Sequence, residues 1–504
     1  DNLFGKRLWV HEYVKKYMTE NTKFFTIKHH ISHAASAFYP SPYAKSIILT
    51  MDGVGEWSTL SIGIGLQNKI ELKEELKYPQ SLGLFYSAFA YFCGFKVNSD
   101  EYKFMGLASY GKPRYYDLIC KNIIDIKTDG SFLLNMDFFD YIKGTSMINE
   151  RKMSEIFGGG RRLPDAPITR REIDIAASVQ KITSDIIIKI ARYAKKKYGD
   201  GINYLVMAGG VALNCVANGI LRDCKIFDNI WIQPAAGDAG AALGAALYLY
   251  YQILGNNREA DNNDDFQHGS LLGPEYTNEY IENFLNSCSY RYHILPKNKG
   301  TVIADLLIKG MVIGLFHGRM EFGPRALGNR SIIADSRLPQ MQEKLNIKIK
   351  KRESFRPFAP IVIESQEGKY FTTTEKNPYM LFCGHVNEDI RILQSVDEDS
   401  NDLLAMIHKT RSTIPAVTHV DYSARIQTVN EKTNPYVYEI LREFEKKTGC
   451  GVLINTSFNV RGEPIVCSPQ DAYSCFINTD MDALVLNDFI IYKKEQIQNI
   501  RREV

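Results

Sequence analysis

Short apolar runs interrupted by glycine turns dominate the pattern of hydrophobic and polar positions along this chain. Residues 46–51 (SIILTM) are β-rich, and residues 57–66 and 69–76 continue in the same style after turn residues. That spacing predicts a β-meander whose first turn holds Asp52 and Gly53. The period changes over 172–196, where Ile173, Ala176, Val179, Ile186 and Ile190 recur on one face of a helix. Two more strands are expected, at 203–208 before Gly209-Gly210 and at 230–233 before PAAGDAGAALGAA. Each feeds a glycine turn and then a helix, the arrangement by which α/β folds offer backbone N–H groups to nucleotides. The longest apolar run, 241–254, contains Gly244 and Gln252; it is too short for a membrane span and reads as a buried core helix.

A polar stretch, GNNREADNNDDFQHGS at 255–270, separates this region from the rest and is the linker expected from its composition. Beyond it, 312–316 and 451–455 are strand-like with helical patterns between them. The expected organisation is two α/β domains, residues 1–262 and 263–504, with no internal repeat.

Composition narrows the function classes. With 45% hydrophobic and 24% charged residues, the chain is that of an ordinary globular protein. A net charge of +3 from 61 basic and 58 acidic residues is too small for a general nucleic-acid or membrane-surface partner. Nine scattered cysteines form no Cys-x-x-Cys pair. That disfavours structural zinc and points to a reduced, cytoplasmic protein.

Two segments carry candidate chemistry. The first, HHISHAASAFYPS at 29–41, puts His29 and His33 at i and i+4, so a helix would set both imidazoles on one face with His30 pointing away, while an i,i+3 pairing of His30 with His33 stays open. Asp52, at a glycine turn, and Asp238, in AAGDAG at a helix start, offer oriented carboxylates. Two imidazoles with one or two carboxylates and open positions suit Fe(II) or another divalent metal such as Mn or Zn. The same residues also read without a metal, as a polar helix face and a helix cap. HExxH is absent, which disfavours a metalloprotease. The turns around Gly209, Gly210, Asn214 and Gly237 could cradle a nucleotide through their amides, with Lys103 and Gly106 from SDEYKFMGLASYG added to them. Read blandly, these are ordinary turns and Lys103 a solvated lysine.

The second segment, GRMEFGPRALGNRS at 318–331, brings Arg319, Arg325 and Arg330 into a glycine-rich stretch with Asn329 and Ser331. KIKKRESFRPF at 348–358 adds Lys350, Lys351, Arg352 and Arg356, interleaved with phenylalanines that imply a walled pocket. DYSARIQTV supplies Ser423 and Arg425, and NTSFNVRGEP supplies Asn455, Ser457 and Asn459. Arginine forks bind phosphate and carboxylate bidentately, so this set suits two anions, such as a carbamoyl or acyl phosphate and the phosphates of ATP.

Taken together, these segments resemble the O-carbamoyltransferase family of the nodulation and cephamycin type, over most of the chain from about residue 29 to 486. GRMEFGPRALGNRS and DYSARIQTV are its most specific motifs. The resemblance implies an N-terminal sugar-kinase/actin-like domain and a C-terminal YrdC-like α/β domain. It also implies iron on His29, His33, Asp52 and Asp238. Arg325, Lys350, Arg356, Arg425, Asn455 and Ser457 would form the carbamoyl phosphate and ATP site. The implied route cleaves carbamoyl phosphate to carbamate, which attacks ATP with Mg2+ to give carbamoyl-adenylate. The adenylate then moves to the metal domain, where an acceptor hydroxyl takes the carbamoyl group.

The implied partners are ATP, carbamoyl phosphate and a hydroxylated small molecule of natural-product type, with neither nucleic acid nor membrane. A second copy of the chain, giving a homodimer, is the candidate protein partner. Two departures stand out. The family's opening strand hairpin has no counterpart before Asp1, which leads us to expect additional N-terminal residues in the natural protein. His317 stands where a Gln is expected, read as a change in the pocket wall. The competing classes are a tRNA threonylcarbamoyl-type enzyme, which calls for a more basic surface, and a nucleotide-binding actin-like sensor, which has no use for a separate arginine-lined site.

Overall fold

The computed structural model describes residues 10–500 except 20, 145, 374–375 and 393–408. Its first half is built on a five-stranded sheet. Helix α1 (His29–Phe38) leads into strands β1 (Lys45–Gly55), β2 (Ser58–Leu66) and β3 (Lys69–Lys77), followed by helices α2 (Leu82–Phe92) and α3 (Glu101–Ala108). Helix α4 (Arg170–Tyr198), strand β4 (Tyr204–Ala208), helix α5 (Cys215–Asp223), strand β5 (Asn229–Ile232) and helix α6 (Asp238–Tyr248) complete it. The strand order is β3-β2-β1-β4-β5, antiparallel through the meander and parallel from β1 to β5.

Burial follows the two-residue period of the strands. Ile47, Leu49 and Met51 of β1, with Leu205 and Met207 of β4, pack into the core beneath α2 and α4. Ile48, Val206 and Ala208 point to the other face, against Ala34, Ala37 and Phe38 of α1. A central strand covered on both faces therefore reads as a continuous apolar run. The expected face of α4 is buried throughout. Its start is fixed by Glu172, whose carboxylate accepts the Thr169 amide at 2.9 Å, and Lys195–Lys197 sit at its negative end.

Two expectations need correction. Asp52 and Gly53 are not in the first turn: β1 runs on to Gly55, and its pairing with β2 slips between Met51 and Gly55. Asp52 thus sits in an irregularity inside the strand, which turns its side chain out of the ladder. The run 241–254 is helical but not a buried core helix. Only Gly240 and Gly244 of α6 are buried, and Ala242, Ala246, Tyr250 and Leu254 face outward, because α6 packs by one narrow stripe on α1. A Cβ on Gly244 would lie 1.8 Å from the Ser32 carbonyl oxygen, so glycine there sets how closely the two helices approach. The polar linker is irregular, as expected, yet anchored: buried Arg258 donates to the carbonyls of Phe38, Tyr39, Ser41 and Tyr43.

The second half carries an eight-stranded mixed sheet. Its strands are β6 (His293–Ile294), β7 (Ile313–Phe316), β8 (Arg330–Asp335), β9 (Ala359–Ile363), β12 (Gln427–Val429), β13 (Val452–Ser457), β14 (Ala483–Leu486) and β15 (Phe489–Tyr492). Their order is β12-β9-β13-β8-β7-β14-β15-β6, while β10 (Cys383–His385) and β11 (Ser423–Arg425) form a separate ribbon. The two halves meet over Phe355 and Tyr379–Phe382, which join the core of the first half. The Asn218 amide group donates to the Leu381 carbonyl at 3.0 Å and the Tyr110 hydroxyl to the Phe355 carbonyl at 2.8 Å. Among the described residues, no helix is long and apolar enough to cross a membrane.

Candidate active site

The expected metal residues converge. His29 opens α1 and His33 follows one turn later, so their Nε2 atoms lie 3.0 Å apart. The Asp52 carboxylate stands 2.8 Å from His29 and 3.4 Å from His33. Asp238, at the first turn of α6, stands 3.6 Å and 3.5 Å from the same nitrogens. Ligands about 2.1 Å from a cation lie about 3.0 Å apart at right angles and about 3.4 Å apart in a tetrahedron, so the spacing of the four atoms fits a site that could hold a divalent ion. The donor set of two neutral nitrogens and two carboxylate oxygens suits Fe(II), Mn or Zn alike.

Electrostatics couple the members of the cluster to one another. The hydrogen bond to Asp52 raises the His29 imidazole above its usual range, against burial. Burial works against a charge on Asp52, but its bonds to His29 and His33 and to the Gly210 amide hold it well below the usual carboxylate range. His30 is turned away as expected: its nitrogens engage the Thr50 hydroxyl at 2.7 Å and the Ser58 carbonyl at 2.9 Å, and burial lowers it to about 4.

Asp52 and Asp238 line one side of a single cleft of about 1380 Å3. The same cleft takes in the anion-binding candidates Arg325, Lys350, Arg352, Arg356, Ser423, Arg425, Asn455, Ser457 and Asn459. Arg325 Nε, Arg425 Nε and Asn455 Oδ1 have no hydrogen-bond partner among the described residues. Unpaired polar atoms, two donors and one acceptor, are costly in so enclosed a place unless a ligand meets them. Burial and the neighbouring Arg425 lower Arg325 to about 9. Lys350 and Arg352 are pushed well down by burial and by their cationic neighbours. An incoming anion reverses that crowding of positive charge.

Supporting contacts aim these side chains. Lys350 Nζ donates to the Ser457 and Asn459 carbonyls at 2.6 and 2.8 Å. Arg352 bonds Asn346 at 2.7 Å, and Arg356 stacks 4.7 Å over the Tyr102 ring from the other half. Glu321 accepts the amides of Leu327, Asn329 and Arg330, folding the glycine-rich loop that presents Arg325.

Arg330 is a correction. It is fully buried, donates to the carbonyls of Pro274, His317, Gly318 and Asn329, and stacks 3.6 Å over Phe316, away from the cleft. It holds the base of the loop and is not free for an anion. His317 is likewise behind the wall, stacked 4.2 Å on Tyr436.

Of the first-half nucleotide candidates, Lys103, Gly106, Gly210, Asn214 and Gly237 line the cleft. Gly209 does not; at φ +92° it lies against the Met51 carbonyl and lets β4 turn away from β1. Asn214 spends its amide on Gln180 and on capping α5. Lys103 is buried rather than solvated, paired to Asp100 at 2.9 Å and to Glu353 of the other half at 3.3 Å. The sequence reading missed His419, whose Nδ1 lies 3.5 Å from Asp421 while Nε2 has no partner among the described residues. It missed Cys215 and Cys383 on the cleft wall as well. His419 stands just before DYSARIQTV, so the motif itself was the available signal for it.

Comparison with known proteins covers both halves. Residues 3–247 match the family described as Carbamoyltransferase N-terminus, and residues 304–493 match Carbamoyltransferase C-terminus. An uncharacterized protein of Synechocystis sp. is 52% identical over 476 residues, 94% of this chain and 76% of that protein. Nodulation protein NolO of Bradyrhizobium diazoefficiens is 35% identical over 472 residues, 93% and 79% of the two chains. A 3'-hydroxymethylcephem-O-carbamoyltransferase of Amycolatopsis lactamdurans is 27% identical over 462 residues, 90% and 78% of the two.

Proposed function

The chain belongs to the carbamoyltransferase family, and on that premise we propose that it is an ATP-dependent O-carbamoyltransferase working through carbamoyl-adenylate. The observation that carries this reading is the single cleft, lined both by Asp52 and Asp238 of the His29–His33–Asp52–Asp238 cluster and by Arg325 and Arg425, whose Nε atoms have no partner among the described residues. An activated carbamoyl group is hydrolytically fragile, and a shared cavity spares it a journey through water.

In this reading Arg325 and Arg425 clamp carbamoyl phosphate; water attacks its carbonyl carbon, the C–O bond to the phosphate breaks, and carbamate and inorganic phosphate form with release of a proton. Carbamate oxygen attacks the α-phosphorus of ATP, presented with Mg2+ by Lys350, Arg352 and Arg356, and pyrophosphate leaves. The amides near Gly210 and Gly237 hold the adenylate, an acceptor hydroxyl attacks its carbonyl, and AMP departs with the bonding electron pair. A divalent ion on His29, His33, Asp52 and Asp238 would supply Lewis-acid polarisation of that carbonyl. The acceptor is a hydroxylated small molecule of natural-product type, and an ATP-consuming reaction of this kind belongs in the cytoplasm. Division at 262/263 into a sugar-kinase/actin-like half and a YrdC-like half is part of the same reading, supported by the β3-β2-β1-β4-β5 order of the first sheet and the mixed second sheet.

Exchange of labelled pyrophosphate into ATP tests it. Exchange that requires carbamoyl phosphate is expected; exchange that instead requires bicarbonate plus threonine, or none at all, would sink the proposal.

A further inference from the structure

Two thiols face each other across the junction of the two halves. Cys215 opens α5 of the first half, Cys383 opens β10 of the second, and their Sγ atoms lie 3.5 Å apart. Both line the cleft, Cys383 partly exposed and Cys215 buried beside it. The backbone leaves them no room to separate. The Arg222 guanidinium donates to the Cys383 carbonyl at 3.1 Å, the Asn218 amide group to the Leu381 carbonyl at 3.0 Å, and a Cβ on Gly219 would sit 2.4 Å from the Cys383 oxygen.

We propose that Cys215 and Cys383 form an oxidisable dithiol whose disulfide staples the two halves together at the wall of the cleft. Disulfide sulfurs lie about 2.05 Å apart, so closure asks for about 1.5 Å of movement, within reach of side-chain rotation. The oxidant is a peroxide, the smallest polar two-electron acceptor the cleft admits. Cys215 sulfur attacks a peroxide oxygen, the O–O bond breaks, and the leaving hydroxide takes up the thiol proton as water. Cys383 sulfur then attacks the resulting sulfenic acid, the S–S bond forms, the S–O bond breaks, and a second water leaves. In sum two thiols and one hydrogen peroxide give one disulfide and two waters.

The chemical setting favours Cys215 as the attacking sulfur. The hydrogen bond from Cys383 holds its thiol below the ordinary range, against burial, with Arg425 and Arg325 adding to the effect. Cys383, which donates that bond and is itself enclosed, is pushed up. Other cysteines, including exposed Cys288 and Cys467, serve as internal references.

The inference does not depend on which group the cleft transfers. Its test treats the full chain with hydrogen peroxide, alkylates remaining thiols, and maps peptides without reduction. We expect a Cys215–Cys383 linked peptide, loss of both alkylation sites together, and recovery of both with dithiothreitol. In Cys383→Ser, Cys215 should stop at a sulfenic acid that dimedone traps. Full alkylation of both residues at peroxide doses that consume Cys288 and Cys467 would overturn the proposal, as would a Cys215 partner other than Cys383. The stapling itself is read by hydrogen exchange: slower exchange of 215–223 and 381–385 in the oxidised chain supports it, and unchanged exchange refutes it.

Discussion

The Nε2 atoms of His29 and His33 stand 3.0 Å apart with the Asp52 carboxylate against both, a spacing suited to ligands of one divalent cation. Two protonated imidazoles cannot share so short a distance, and a divalent ion satisfies all the lone pairs at once. His33→Ala should therefore lower bound metal from one ion per chain to none. In the proposed scheme it stops carbamoyl transfer and spares carbamoyl phosphate-dependent pyrophosphate exchange. Elemental analysis checks the first part; a purified wild-type chain without metal, or a variant that loses both half-reactions, contradicts the assignment.

Asp238 reaches the cluster only because α6 lies close on α1. At Gly244 an added methyl would collide with the Ser32 carbonyl at 1.8 Å, and backbone cannot step aside as a side chain can. Gly244→Ala should push α6 outward, at a cost of about 1–3 kcal/mol, typical of overpacking. It should also weaken metal binding without altering any ligand. A chelator-competition titration and a thermal melt read the two effects; unchanged affinity would mean that Asp238 is not a ligand.

Arg356 and Arg330 come from two basic motifs and are expected to fail in opposite ways. Arg356 reaches into the cleft and stacks over Tyr102, so Arg356→Ala should abolish pyrophosphate exchange with little change in folding. Arg330 serves four carbonyls inside the fold, so Arg330→Ala should destabilise by roughly 3–5 kcal/mol, as loss of a buried charged partner does. Denaturant midpoints beside exchange rates separate the two, and normal exchange in Arg356→Ala removes that residue from the site.

That contrast marks the limit of what the sequence makes legible. The metal set was readable because His29 and His33 are local neighbours on one helix, and because Asp52 and Asp238 sit at breaks in apolar runs. The meander and the long helix were readable from their periods. Arg330 was not, since its partners come from positions 274, 317, 318 and 329 and its neighbours in sequence look like an anion cradle. Nor was the exposure of α6, whose even apolarity hides the narrow stripe that packs. The convergence of both motifs on one cleft is a tertiary fact, set by where Phe355 and Tyr379–Phe382 enter the first core.

His317 gives the fold an acid-sensitive element. Burial, with Arg330 nearby, lowers it to about 3, whereas an unfolded histidine titrates near about 6.5. Between those values the unfolded chain binds the extra proton. The stability His317 contributes is therefore fully present above about pH 6.5 and is lost as the pH falls toward 3, at up to about 1.4 kcal/mol per pH unit. His317→Gln removes the titrating group, so its denaturant midpoint should fall less between about pH 7 and pH 5 than that of the wild type. Equal losses in the two proteins would show that His317 is protonated within the fold.

His419 is the cleft residue best equipped to move a proton. It is buried, its Nδ1 is turned toward the Asp421 carboxylate at 3.5 Å, and its Nε2 has no partner among the described residues. A carboxylate on one ring nitrogen fixes the tautomer and leaves the other nitrogen to exchange a proton with a ligand. Asp421 is itself held by the Ser423 amide at 3.0 Å, in the strand that carries Arg425. The imidazole and the Arg425 guanidinium are thus positioned by the same turn. If His419 transfers a proton during breakdown of carbamoyl phosphate, His419→Gln should slow phosphate release by about 10²–10⁴-fold, the usual worth of a general acid or base. Carbamoyl phosphate binding should change little, because Arg325 and Arg425 remain. The pH profile discriminates: a proton-transfer role removes a limb of the wild-type rate profile in His419→Gln. A variant with weakened binding and an unchanged profile would reduce His419 to a wall of the cleft.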